Sequence, residues 1–461
     1  LDLALNNGFI LDANGEKKAL NIGIKDHKIF KISPGYLDGR ETLDLQGLLI
    51  TPGFIDLHIH EDKINDSGNL EIIEGRALTR MGVTSALGGN CGYNFTDIET
   101  LIEKINSRGF PYDLGLFIGY NSLREKLDIN EYQEADAEQR NSLIQMMQTI
   151  FTNNKTFGVS LGIAYHPGIS NKELMAIGKV AAEYDALIAV HLIGFPDRVI
   201  ENLKELIAVS AETGARLHIS HIGSVASYGR MEDFLKVFDQ AWQDGVRIRG
   251  DCYPYSAFCT YIGSAVFAEG FIERLDCAYG DLEILQGEYK GQCATEDIFQ
   301  KLRKSKPETL VAAHVMNREE IIKAIRNDRI MVASDITMNQ GEGHPRGAGT
   351  FPRLLGRYCR DEKLLDFNTG LKKITSQPAD WLGLNNKGRI AEGYQADLVL
   401  LDEETVIDNA TFSEPLLPPE GIEHVILNGE LIVSQNKSTD LSKGKYMKYQ
   451  RGDNNPARDF S

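Results

Sequence analysis

Several things are scarce in this sequence, and each shortage excludes something. No run of about 18 apolar residues occurs, which excludes a membrane-spanning helix of ordinary length. Six cysteines in 461 residues, with no Cys-x-x-Cys pair, are too few and too scattered for a disulfide framework. A reducing compartment, the cytoplasm, is the expectation that follows. Basic residues are in deficit: 49 Lys and Arg against 66 Asp and Glu leave a net charge of −17, so no general positive field is available to a nucleic-acid backbone. The chain opens Leu1-Asp2-Leu3 without a basic, apolar leader, and no targeting peptide is expected. Internal repeats and low-complexity tracts are also missing.

What is present is ordinary for a globular protein, with 42% hydrophobic and 25% charged residues. At roughly 150 residues per domain the length suggests about three units, but one α/β barrel absorbs about 250 residues, so two units fit equally well. Residues 1–50 have the short alternating runs of strands, such as Ile22 and Ile24 followed by Ile29-Phe30-Lys31-Ile32. From residue 53 the rhythm changes to short apolar runs separated by amphipathic stretches. Eight runs read as strands: Phe54–His60, Val83–Leu87, Leu114–Ile118, Val159–Ala164, Leu187–Leu192, Arg216–Ile222, Val246–Cys252 and Ile330–Ser334. Leu70–Met81 reads as a helix, and Thr96-Asp97-Ile98-Glu99 and Ser170-Asn171-Lys172-Glu173 read as capping boxes opening two more. Strand–helix alternation of this kind predicts a parallel sheet, and eight strands fit a (β/α)8 TIM barrel.

A ninth run, Leu310–Val315, does not fit that count, and 256–310 reads as an insertion near the active face. The β character returns at Arg389–Leu401 and Glu423–Val433, the latter holding the hairpin signal Asn428-Gly429. The expected organisation is therefore a barrel, 53–383, inserted into a small β-sandwich built from 1–52 and 384–461, with a polar, extended tail from Ser438.

The chemistry-bearing residues gather at predicted strand ends, and in a barrel the C-terminal face is where reactions are built. Residues i and i+2 of a strand face the same side, so His58 and His60 can bind one ion together. Cys91 follows the second strand in Gly88-Gly89-Asn90-Cys91-Gly92, where glycines allow close backbone approach and a thiolate is a good zinc ligand. His191 ends the fifth strand and His221 the sixth; His218, three residues earlier, points elsewhere on a regular strand and reads as a packed histidine. Asp335 closes an apolar run, a costly place for an acid without a partner. Taken singly, each has a bland reading: unrelated histidines, a buried structural cysteine, a helix cap. Their coincidence on one predicted face carries the signal.

With these residues in view, the chain resembles the metal-dependent amidohydrolase superfamily through Pro52-Gly53-Phe54-Ile55-Asp56-Leu57-His58-Ile59-His60. Within it the chain is similar to the D-aminoacylases (N-acyl-D-amino-acid deacylases). That similarity rests on Gly89-Asn90-Cys91-Gly92, Ile219-Ser220-His221, Tyr253-Pro254-Tyr255, His344-Pro345-Arg346 and Gly349-Thr350-Phe351-Pro352-Arg353. Gly388-Arg389-Ile390-Ala391-Glu392-Gly393, Ala396-Asp397-Leu398-Val399 and Ala410-Thr411-Phe412 extend it over nearly the whole chain.

The resemblance implies hydrolysis of a linear, non-peptide amide in a small-molecule N-acyl-D-amino acid. It implies one zinc ion held tightly by Cys91, His191 and His221, a second or weaker ion at His58 and His60, Asp335 as catalytic base and acid, and Tyr253 and Arg346 on the substrate carboxylate. The Gly-rich stretch Gly341–Gly349 suggests a mobile substrate loop around Arg346. Ile193, Gly223 and Cys259 stand where many relatives carry Arg, Lys and Ser, which bears on acyl-group and side-chain preference rather than on the metal chemistry. A non-catalytic scaffold, as in barrels that lose their ligands, is disfavoured because every expected ligand type is present, and two other enzymatic readings compete. One is a cyclic-amide hydrolase of the hydantoinase or dihydroorotase kind. The other is a serine hydrolase using Ser160 of Gly158-Val159-Ser160-Leu161-Gly162, against which stands the apolar pattern running on through Ile163-Ala164. His314 lies near a strand end without an assignable role.

Overall fold

A computed structural model describes residues 1–61, 74–94, 96–194, 198–439 and 442–450. Both chain ends build one nine-stranded mixed sheet. Leu49–Pro52 is its seam: it pairs parallel with Leu3–Leu11 on one side and antiparallel with Leu398–Leu401 on the other, so residues about 350 positions apart become neighbours. Side-chain alternation sorts the two faces. Leu398 and Leu400 join Leu3, Leu5, Ile22, Ile50 and Ile426 in the sheet's own core, whereas Val399 and Leu401 belong to the core shared with the barrel. The hairpin at Asn428-Gly429 joins Ile422–Leu427 to Glu430–Ser434, with both turn residues at positive φ (52° and 80°), as a two-residue turn requires.

Between these ends, eight parallel strands run in chain order around a nearly closed barrel: Phe54–Asp56, Val83–Gly88, Asp113–Gly119, Gly158–Gly162, Leu187–His191, Arg216–Ile219, Ile248–Cys252 and Ile330–Val332. All but His191 of these strand residues are buried, as expected of strands covered on both faces. The first and last strands meet through the Ile59–Ile336 bridge and the Asp335 N–H, which donates to the His58 carbonyl at 2.8 Å. Closure therefore runs through the backbone of candidate site residues.

The ninth apolar run is resolved here. Leu310–Ala313 is the middle strand of a separate three-stranded antiparallel sheet, between Phe258–Tyr261 and Leu282–Ile284. The insertion thus extends past residue 310. Other expectations shift at their edges. The first strand stops at Asp56 and the sixth at Ile219, so His58, His60 and His221 lie beyond regular strand. At the first predicted capping box Asp97 rather than Thr96 caps Ile98–Arg108, its side chain accepting from the Thr100 N–H without a reciprocal N3 acid, while Ser170 and Glu173 form their box as read. Of the Arg389–Leu401 run only Leu398–Leu401 is strand. The described helix is Glu74–Arg80, and the start of the Leu70–Met81 reading lies outside the described residues. The tail is not free: Gly444 and Tyr446 bridge to Phe110 and Leu114. No helix among the described residues is long and apolar enough to cross a membrane.

Candidate active site

The six residues singled out at strand ends converge at the C-terminal mouth of the barrel. Cys91 Sγ lies 3.4 Å from His58 Nε2, 3.3 Å from His221 Nε2 and 3.4 Å from His191 Nδ1. Asp335 Oδ1 lies 3.4 Å from both His58 Nε2 and His60 Nε2. Three overlapping triads have ligand atoms within 4.8 Å of one another: His58, His60 and Cys91; Cys91, His191 and His221; His58, His221 and Asp335. These spacings fit a zinc site. With Zn–S near 2.3 Å and Zn–N near 2.0 Å at a tetrahedral angle, sulfur and nitrogen on one ion sit about 3.5 Å apart.

Local backbone strain places these groups. Cys91, His221 and Asp335 all adopt positive φ (54°, 32° and 49°), an uncommon state for non-glycine residues that turns each side chain out of its strand's direction. Glycine is required around Cys91: a Cβ on Gly89 would meet the Phe117 carbonyl oxygen at 2.4 Å, and one on Gly92 the Asn121 Oδ1 at 2.3 Å. Ser160 serves this loop. Its hydroxyl accepts from Gly92 N–H at 2.9 Å and donates to the Gly89 carbonyl, and it is wholly buried within a regular strand, which removes the nucleophile reading. Glu61 accepts from Gly89 N–H at 2.7 Å, anchoring the same turn.

Electrostatics suit a cation. Burial pushes the Cys91 thiol up, but His58, His221 and His191 outweigh it and hold the thiol well below its ordinary value. Burial likewise raises Asp335, yet Arg346 and His58 prevail and keep the carboxyl well below the usual range. His221 is fixed by Ser224, whose Oγ is 2.8 Å from Nδ1 and 2.9 Å from the His221 carbonyl oxygen. That hydroxyl donates to the carbonyl and accepts from Nδ1–H, which leaves the Nε2 lone pair toward Cys91.

A cavity of about 490 Å³ opens onto this cluster, walled in part by His60, Cys91, His191, His221, Tyr253 and Asp335. Tyr165 packs against His191 with ring centroids 4.7 Å apart and planes inclined by 58°. Tyr253 is in the wall, whereas Tyr255 faces the other way, under the Arg353 guanidinium at 4.1 Å. Arg346 is not in the wall. It opens the helix Arg346–Arg353, so the mobile loop expected there is replaced by a buried helical start. Its Nη2 donates to Asp335 Oδ2 at 2.9 Å, its guanidinium lies 4.6 Å over the Tyr253 ring, and its Nε and Nη1 have no partner among the described residues. His314 stands apart, paired with Glu283 at 2.9 Å and packed on Phe412.

Sequence reasoning missed two carboxylates. Asp56 accepts from the N–H groups of His58 and Ser334, joining the first and eighth strands, and burial raises its pKa to about 7. Asp251, fully buried on the seventh strand, contacts His58, His218 and the His221 backbone. The signal is the one that picks out Asp335, an acid within an apolar run, and it marks all three positions alike.

A parallel barrel with a thiol, four imidazoles and a buried carboxylate at its mouth defines a metal-dependent hydrolase scaffold. The chain belongs to the amidohydrolase family, whose models match residues 49–234 and 308–433. It is 28% identical to an N-acyl-D-glutamate deacylase of Alcaligenes xylosoxydans xylosoxydans, over 94% of both chains, and 25% identical to a D-aminoacylase of the same organism, over 97% of both. The crystal structure of an N-acyl-D-glutamate deacylase from Bordetella bronchiseptica, complexed with zinc and a phosphonate mimic of the tetrahedral intermediate, superposes with a TM-score of 0.85 at 25% identity, covering 97% of this chain and 99% of that one. A D-hydantoinase structure is more distant, with a TM-score of 0.67 at 18% identity.

Proposed function

We propose that the protein hydrolyses the amide bond of N-acyl-D-amino acids to a free D-amino acid and a carboxylate. The observation that carries this reading is the convergence of Cys91, His191 and His221 with His58, His60 and Asp335 on one cavity. Cys91, His191 and His221 would hold one zinc ion tightly, and His58 and His60 would hold a second, weaker one. Zinc bound there supplies a Lewis acid that polarises the substrate carbonyl and lowers the pKa of water to about 7.

The chain's own residues do the rest. Asp335 Oδ2 is tied to Arg346, so Oδ1, which faces the imidazoles, is the oxygen free to accept a proton from water and return it to the departing amide nitrogen. Tyr253 in the wall and the unpartnered Nη1 of Arg346 behind it are the donors suited to the substrate carboxylate. Arg346 thus has two tasks, holding Asp335 ionised and offering its second face to the substrate. All six cysteines are free thiols, which supports a reducing compartment such as the cytoplasm.

Zinc-loaded protein incubated with matched N-acetyl-D- and N-acetyl-L-amino acids should release amine from the D series only, and chelation should abolish release. No D-selective release across the panel rejects the reading. Hydantoin and dihydroorotate belong in the same assay: their turnover, with none of the linear amides, would favour the cyclic-amide alternative.

A further inference from the structure

Asp251 lies beneath the cluster and has no place in the chemistry described above. Its carboxylate gathers three donors. Oδ2 is 2.8 Å from His218 Nε2 and 3.3 Å from His58 Nδ1, and Oδ1 accepts from the His221 N–H at 2.8 Å. The proton positions follow from the outermost partner. Trp381 Nε1 is 3.2 Å from His218 Nδ1. An indole nitrogen only donates, so His218 Nδ1 accepts and its Nε2 carries the hydrogen that Asp251 receives. The carboxylate, an acceptor on both oxygens, then draws the hydrogen of His58 to Nδ1. That leaves the Nε2 lone pair of His58 facing Cys91 and Asp335. The same carboxylate pins the backbone at His221, where φ of 32° turns the ring into the site.

We propose that Asp251 is the positioning residue of the metal site: it commits His58 to the ligating tautomer and holds the His221 turn, with Trp381 and His218 aligning the carboxylate from behind. The proposal rests on the cluster binding zinc and is independent of which amide is cleaved. A side-chain amide in place of this carboxylate cannot satisfy all three donors. Whichever way the amide faced, its NH2 group would meet an N–H. With the amide oxygen kept on the His221 N–H, the NH2 group faces both imidazoles: His218 is held by Trp381 and keeps its hydrogen on Nε2, so only His58 can adapt, by moving its hydrogen to Nε2, which removes it as a ligand.

The test is zinc affinity of the full-length protein, measured by competition with a chromophoric chelator. Asp251→Asn should bind zinc about 10- to 100-fold more weakly, the range typical for partners that orient metal-bound histidines. Its kcat should fall more than its KM changes. The melting temperature in excess chelator reports folding separately. A second pair keeps the question decidable if Asp251→Asn folds poorly: His218→Gln retains an N–H near the Nε2 position and should bind zinc close to wild type, whereas His218→Leu should not. Wild-type zinc affinity and stoichiometry in Asp251→Asn overturn the proposal, and so does equal loss in the Gln and Leu variants. If the wild type cleaves no acyl-D-amino acid while these affinity differences hold, the substrate reading fails and the role of Asp251 stands.

Discussion

Asp335 is the residue where opposing demands meet. Its burial favours the protonated acid, and the Arg346 guanidinium at 2.9 Å with the nearby His58 imidazole favours the carboxylate more strongly. A base must be ionised to work, so Arg346 tunes the reaction without touching the water. Two outcomes follow. Asp335→Asn keeps the shape and removes the proton acceptor; kcat should fall by about 10²- to 10⁴-fold, with zinc retained by Cys91, His191 and His221 in an elemental assay. Arg346→Met removes the charge that depresses the Asp335 pKa, so that pKa rises. The acidic limb of the kcat–pH profile should therefore move to higher pH, because protonated Asp335 cannot act as base. An unmoved limb would mean that some other group governs it. At this scale the sequence exposed residues whose type alone is suggestive, the histidines, Cys91 and Asp335. It hid Asp56 and Asp251, because an acid inside a short apolar run looks the same whether it caps a helix, closes a barrel or aligns an imidazole.

Elements were legible wherever burial alone shaped them. Runs such as Leu187–His191 and Leu114–Ile118 are apolar because both faces are covered, and they announced themselves. Leu310–Ala313 is buried just as completely, and only its antiparallel partners distinguish it from a barrel strand; pairing is a tertiary fact that a short run does not encode. The turn at His221 is similar: a regular strand would have opposed His218 and His221, and the break after Ile219 lets both serve the site from different depths.

One junction between elements invites a stability measurement. Lys387 is buried between Asp113, at the start of the third barrel strand, and Asp397, beside the seam of the end sheet. Asn428 and the Lys445 N–H complete the set, so barrel, sheet and tail meet around one ammonium. Lys387→Met leaves two buried carboxylates without their cation, and breaking a buried pair from one side typically costs about 3–5 kcal/mol. Chemical denaturation should show a loss of that order, with zinc content unchanged in the folded protein. A loss under about 1 kcal/mol, the level of an exposed pair, would show that solvent reaches the junction.

At the scale of the whole molecule, the surface and the cavity follow different rules. The net charge of −17 belongs to the exterior. The cavity wall away from the ligands carries Val225, Phe258, Val266, Leu275 and Pro307, with the phenols of Tyr228 and Tyr261. Among the described residues of that wall there is no Lys or Arg, and Glu308 adds a carboxylate. A neutral, apolar side chain entering this space loses water and gains contact. An acidic side chain loses its hydration without a cation to replace it and meets an existing negative charge. The Gly223 backbone supports this bias: a Cβ there would point at Cys252 Sγ and the Met316 methyl, 3.0 and 3.2 Å away, so that position contributes no charge to the pocket. N-acetyl-D-leucine and N-acetyl-D-phenylalanine should therefore exceed N-acetyl-D-glutamate in kcat/KM by at least about tenfold, the equivalent of roughly 1.4 kcal/mol in the transition state. Raising the ionic strength should narrow the gap only slightly, because the penalty is desolvation in an enclosed space rather than long-range repulsion. A preference for the acidic substrate would place a cation at this wall that the described residues do not include.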